Sequence, residues 1–177
     1  MAKAQLAIRV KRILALLWSE REALDEALES LRKEFGSIDY SGEDHLFTHT
    51  DYYYSEMGSN LKRRLISFRE LAPPESIGEA KINCKLIEEQ SASPNRQVNL
   101  DIGYLDHGKV ILASFKPAGH KIHLGQGIYA DLIAHYRNRR YQPLDWTFPD
   151  FKNQTYDSDL FAIRGIYLKQ LRVSLKR

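Results

Sequence analysis

The chain has 177 residues, of which 43% are apolar and 28% charged, so it is long enough for one packed core and too apolar for a disordered segment. With 26 Lys and Arg against 23 Asp and Glu the net charge is +3, too small to argue by itself for nucleic acid or an anionic membrane. A single cysteine, Cys84, excludes an internal disulfide and fits a reducing cytoplasm.

The basic start (Lys3, Arg9, Lys11, Arg12) and the apolar run Ile13-Leu14-Ala15-Leu16-Leu17-Trp18 resemble a secretory leader only on the surface. The run is short and leads into Ser19-Glu20-Arg21-Glu22, with no small-residue cleavage pattern. Crossing a bilayer takes about 20 apolar residues, and no stretch reaches that. The expected location is the cytoplasm, with no membrane partner. Residues 10–18 read instead as a buried strand. Ser19 and Glu22 then form a capping-box pattern, and Ala23, Leu24, Ala27, Leu28, Leu31 and Phe35 recur at helical spacing until Gly36 closes the helix.

Aromatic and threonine content predicts a second strand over residues 47–54, a turn at Glu56-Met57-Gly58-Ser59-Asn60, and a third strand over 61–68. Pro73-Pro74 interrupts the chain, and Pro74 suits the first turn of a second helix. That helix carries Ile77, Ala80, Cys84, Ile87 and Gln90 on one face and ends near Ser91. After a turn at Ser93-Pro94-Asn95-Arg96, strands are expected over 98–104, 109–115, 121–124 and 128–136, separated by glycine or polar turns. A loop follows Trp146-Thr147-Phe148-Pro149-Asp150, and a last helix runs from Ser158 to Leu175. The first hundred residues thus read β-α-β-β-α-β, the split-βαβ or ferredoxin-like order. The expected fold is α+β, one domain over residues 1–177. It has a mostly antiparallel sheet, helices on one face, a strand-rich C-terminal extension and a closing helix.

Gly103-Tyr104-Leu105-Asp106-His107-Gly108-Lys109 matches the first seven positions of a phosphate-binding P-loop. The eighth, which must offer magnesium a hydroxyl, is Val110, and the apolar run after it reads as a strand where the motif needs a helix. The string is therefore read as a hairpin turn with two glycines.

On the expected second strand, His49, Asp51 and Tyr53 share one face, and a histidine two residues from a carboxylate suits acid/base work or metal ligation. The competing reading is a solvated sheet face. On the strand over 98–104, Leu100, Ile102 and Tyr104 face one way, leaving Asn99 and Asp101 on the other beside Gly103, where a strand glycine marks a close approach. Folded as a split βαβ pair, these two strands would aim His49, Asp51, Asn99 and Asp101 into one cleft. Lys116 and His120 lie on the loop after residue 115, where positioned polar groups often work. His120 and His123 are an odd number apart and so point to opposite faces of a strand. With one cysteine and no HExxH, zinc is not expected. Basic clusters stand at Lys62-Arg63-Arg64 and Arg137-Asn138-Arg139-Arg140, the second flanked by Tyr136 and Tyr141.

Several blocks carry a resemblance to a known family: His49-Thr50-Asp51-Tyr52-Tyr53 followed by Glu56-Met57-Gly58; Arg96 with Val98 through Leu105; Gly127-Ile128-Tyr129-Ala130-Asp131; and Trp146 through Phe151. Along nearly its whole length the chain resembles a bacterial family catalogued as a domain of unknown function, number 4416. Some members of that family carry a GTP-binding label. This chain has no Asn-Lys-x-Asp motif, and it departs from the family look at Lys121 and His123, where arginine and tyrosine are expected.

The reading carried forward is binding or processing of a small anionic ligand, phosphorylated or nucleotide-like. His49, Asp51 and Asp101 are the candidate catalytic groups, and Arg96, Asn99, Lys116 and His120 the candidate ligand-binding ones. No cofactor or metal is specified by the residues, and neither turnover nor oligomeric state is legible. The alternative is a non-catalytic module for RNA or a protein partner, using Tyr52 to Tyr54, Arg137 to Arg140 and an uncovered sheet face.

Overall fold

The computed structural model describes residue 3, residues 5–91 and residues 95–174. In chain order the elements are β1 (Val10–Trp18), α1 (Arg21–Phe35), β2 (Ile38–Ser41), β3 (His45–Leu46), α2 (Tyr54–Met57), β4 (Lys62–Ala72), α3 (Ile77–Gln90), β5 (Val98–Leu105), β6 (Lys109–Ser114), β7 (Ile122–Gly125), β8 (Ile128–Arg137), β9 (Arg140–Pro143), α4 (Pro149–Lys152) and α5 (Asp157–Ser174). The nine strands form one sheet in the order β2-β4-β1-β5-β6-β8-β7, with β3 added to β4 and β9 to β8, every pair antiparallel. The class is α+β.

β1 lies inside the sheet because its apolar run satisfies both faces at once. Leu14, Leu16 and Trp18 pack with Leu24 and Leu31 of α1, Cys84 and Ile87 of α3, and Leu100 and Ile102 of β5. Ile13 and Ala15 turn the other way, onto Leu160, Ile163 and Tyr167 of α5. α1 and α3 thus share a face, whereas the final helix covers the opposite one, so the expectation of helices on one face holds only for α1 and α3. The uncovered sheet face invoked for an interaction module is absent over the central strands. α5 is fixed by Arg164, whose guanidinium donates to the carbonyl of His107 (2.6 Å) and the hydroxyl of Tyr141 (3.0 Å) and lies 3.5 Å over the Tyr136 ring.

Other expectations need correction. α1 starts from Glu20, which makes no side-chain cap bond, so the Ser19/Glu22 capping box does not form. Residues 47–54 are not a strand. Phe47 and Met57 both turn inward onto Leu17 and Leu61, and the chain between them must fold back to allow it. The Thr50 hydroxyl accepts from the Tyr52 amide (3.1 Å), and the Tyr53 carbonyl then opens α2 by accepting from Met57 (2.8 Å). β2, β3, β9 and α4 have no counterpart among the expected elements. Ser93, Pro94 and Leu175, which figured in the expected turn and last helix, lie outside the described residues.

Candidate functional site

The P-loop-like string is a side-chain-capped hairpin joining β5 to β6. Asp106 Oδ1 accepts from the amides of Gly108 (2.7 Å) and Lys109 (2.8 Å), and its other oxygen pairs with the Lys109 ammonium.

The two strands stay together only briefly. β5 and β6 pair at Gly103, Tyr104 and Leu105, while β5 remains paired to β1 down to Val98. Below Gly103 the sheet splits, and the free edge of β5 would leave a backbone amide and carbonyl unsatisfied. α3 supplies the missing partners. Glu88 accepts from the Leu100 amide (2.5 Å), and Lys81 donates to the Leu100 carbonyl (2.8 Å). Two charged side chains from one helix thus stand in for a strand.

The split opens a cleft of about 570 Å³. Asn99 and Asp101 line it from β5, Ser114 from β6, Asp131 from β8, and Lys81, Lys85 and Glu88 from α3, with Tyr52, Tyr53, Phe115 and Phe148 as aromatic walls. Asp101 accepts from Lys81 (3.3 Å) and Asn99 (2.9 Å), and Arg63 stands 3.9 Å away. Burial works against its charge, but Lys81 and then Arg63 outweigh that and hold the carboxyl below its ordinary range. Glu88 goes the other way: burial raises it despite Lys81 and the Leu100 amide. Burial, reinforced by Asp101, pushes the Tyr53 phenol up to about 12.

Of the candidate residues, the structure brings Arg96, Asn99, Asp101 and Lys116 to this cleft. Arg96 pairs with Glu56 (2.7 Å), lies 3.6 Å from Glu88, and donates to Asn99 (3.2 Å). His120 does not line the cleft but meets its wall at Asp131, stacked on Trp146 with its Nε2 3.6 Å from that carboxylate, whose other oxygen pairs with Lys121 (3.0 Å). His49 and Asp51 do not join them. Both are exposed on the segment before α2, where His49 meets the edge of Phe47, and neither lines the cleft. Their expected convergence depended on a strand that does not form. Arg137, Arg139 and Arg140 stand exposed at the β8–β9 turn, also outside the cleft. No group of three or more His, Cys, Asp and Glu among the described residues is placed to hold a metal ion, and no helix among them is long and apolar enough to cross a membrane.

Sequence reasoning missed Lys81 and Glu88. Each lies four residues beyond a core position, Ile77 and Cys84, so both interrupt the buried face of α3. A charge inside an apolar stripe is the signal that would have found them. The Glu88 role is testable. Glu88→Gln keeps an acceptor for Leu100 and removes a buried charge, so stability at neutral pH should stay within about 0.5 kcal/mol. Glu88→Leu orphans the amide and should cost about 1–3 kcal/mol. Urea unfolding of both variants distinguishes these outcomes.

Fold and cleft together define an α+β domain with a charged, aromatic-walled cavity at a sheet split. The chain belongs to the family described as "Domain of unknown function (DUF4416)", which it matches over residues 8–167. Neither a curated protein nor a solved structure matches it.

Proposed function

We propose that the cleft between β5 and β6 binds a small anionic ligand, phosphorylated or nucleotide-like. The observation that carries this reading is Lys116. Most cleft charges are matched: Asp101 with Lys81, Arg96 with Glu56, Asp131 with Lys121. Among the described residues Lys85 pairs with its helical neighbour Glu89, at 3.6 Å, and with no other carboxylate. Among the described residues no carboxylate lies within ion-pair distance of Lys116, whose ammonium rests 3.5 Å over the Tyr52 ring. An ammonium held by an aromatic face keeps its donors for an incoming anion. Phe115 and Phe148, both partly exposed, add a surface on which an apolar or planar part of the ligand can lie.

Titrating inorganic phosphate, sugar phosphates and nucleotides while following thermal unfolding tests the reading. A ligand at 100 times its Kd should add about 2.7 kcal/mol, roughly 5–10 °C for a chain of this length. Lys116→Ala should weaken that ligand by about 1.5–3 kcal/mol, or roughly 10- to 150-fold, while the unliganded chain loses no more than about 0.5–1 kcal/mol, the worth of an exposed cation–π contact. No shift with any of these anions would reject the proposal.

A further inference from the structure

The cleft also limits what the rest of the ligand can be. Resting on the anion-binding reading above, we propose that the ligand is a hydroxyl-bearing phosphate ester of the sugar-phosphate class, its phosphate on Lys116 and Lys85 and a pair of neighbouring hydroxyls on Asp101.

Asp101 carries the argument. Its side chain is 24% exposed, so the cavity reaches it although it sits among buried partners. Oδ1 accepts from Lys81 and Oδ2 from Asn99. An ionised carboxylate offers about four acceptor sites and no donor, so about one further site stays open on each oxygen. Whatever meets it must donate, and two donors side by side would fill both sites. The donors should be neutral. Lys81 already meets this carboxylate at 3.3 Å, with Arg63 at 3.9 Å, so a further cation from the ligand would gain little there, and the ligand's anionic end is excluded by Asp101 itself. Vicinal hydroxyls meet all three conditions. Tyr53 and Phe115 line the same cleft, and an aromatic face accepts the C–H face of a sugar ring while leaving its hydroxyls free to turn toward Asp101. The same geometry assigns the phosphate to Lys116 and Lys85: among the described residues Lys116 has no carboxylate to hold it, and Lys85 has the exposed Glu89.

The test compares ribose 5-phosphate, ribose, propyl phosphate and inorganic phosphate by calorimetry on the intact chain. Ribose 5-phosphate should bind at least tenfold more tightly than each of the others. Asp101→Asn should erase the advantage of ribose 5-phosphate over propyl phosphate, while Lys116→Ala should weaken both by the same factor. Propyl phosphate binding as tightly as ribose 5-phosphate would overturn the hydroxyl assignment and leave the anion reading intact. Ribose binding as tightly as its phosphate would overturn the phosphate assignment. Discrimination that survives Asp101→Asn would remove Asp101 from the role. If none of the phosphates binds, both readings fall together. Should Asp101→Asn not fold, the four-ligand comparison on the native chain still decides between these outcomes.

Discussion

Gly103→Ala is expected to destabilise the chain by about 3 kcal/mol, the upper part of the range for forcing extra atoms into a packed interior. Gly103 is the last residue at which β5 still touches β6, paired with Ile13 on one side and Leu112 on the other. A Cβ built there would fall well inside contact distance of the Ile111 carbonyl oxygen and 2.8 Å from Leu112 Cδ2. The leucine side chain can rotate away, but the carbonyl belongs to a backbone that β8 holds through the Ile111–Leu132 pairing. The strands must therefore move apart, and the apolar packing of Leu105, Val110 and Leu112 on α5 loosens with them. For a chain of this length the cost corresponds to roughly 6–12 °C in Tm. Gly108→Ala is the matched control in the same hairpin, because the nearest atom to its new Cβ is Asp106 Oδ1 at 3.8 Å. It should stay within about 0.5 kcal/mol of the native chain. Equal urea midpoints for Gly103→Ala and the native chain would show that the close approach is not what glycine is there for.

The same glycine marks the boundary between what the sequence made legible and what it hid. β1, α1 and the strand that became β5 could be read locally, because Leu14, Leu16, Leu24, Leu31, Leu100 and Ile102 carry their period in the residues themselves. The polar pair Asn99 and Asp101 was legible for the same reason. Residues 47–54 were not, because β-propensity measures how a side chain suits a pleated surface, and here the tyrosines line a loop and a short helix. Once Phe47 and Met57 are drawn onto Leu17 and Leu61, local preference is overridden. The cleft itself was out of reach. It exists because β5 and β6 diverge, and divergence depends on where β6 pairs with β8, roughly twenty to sixty residues along the chain from the helix that fills the gap. Lys116 could be singled out as a loop lysine. That no carboxylate among the described residues would pair with it while its neighbours found theirs is a property of the assembled charges.

Those assembled charges depend on one buried cation. Arg63→Met should destabilise the chain by about 3–5 kcal/mol at neutral pH, the usual cost of removing one member of a buried ion pair. Arg63 on β4 donates to Asp150 of α4 (2.5 Å), faces Asp101 of the cleft floor (3.9 Å), and lies 4.3 Å over the Phe47 ring. It thus ties together β5, the segment before α2 and the segment that carries Phe148. Methionine keeps much of the packing on Phe47, so the loss reports the charge. Tyr156 would be left as the remaining partner of Asp150 (3.0 Å), and Asp150 Oδ1 is already buried without one. The pH dependence gives the sign. In the native chain the depressed Asp101 carboxyl contributes stability above its ordinary value near 4, and that stability is lost as pH falls through its lower folded value. Arg63→Met takes away one of the two cations that hold the Asp101 carboxyl down, so the variant loses part of a contribution present only above the ordinary carboxylate range. The gap between native chain and variant should therefore be widest at neutral pH and narrow as the pH falls through the ordinary carboxylate range and below it. Adding Asp150→Asn to Arg63→Met removes the stranded charge and should recover a large part of the loss at pH 7. A deficit that is flat with pH, or a double variant no more stable than the single one, would mean that Arg63 acts by filling space and that its charge does not organise the cleft.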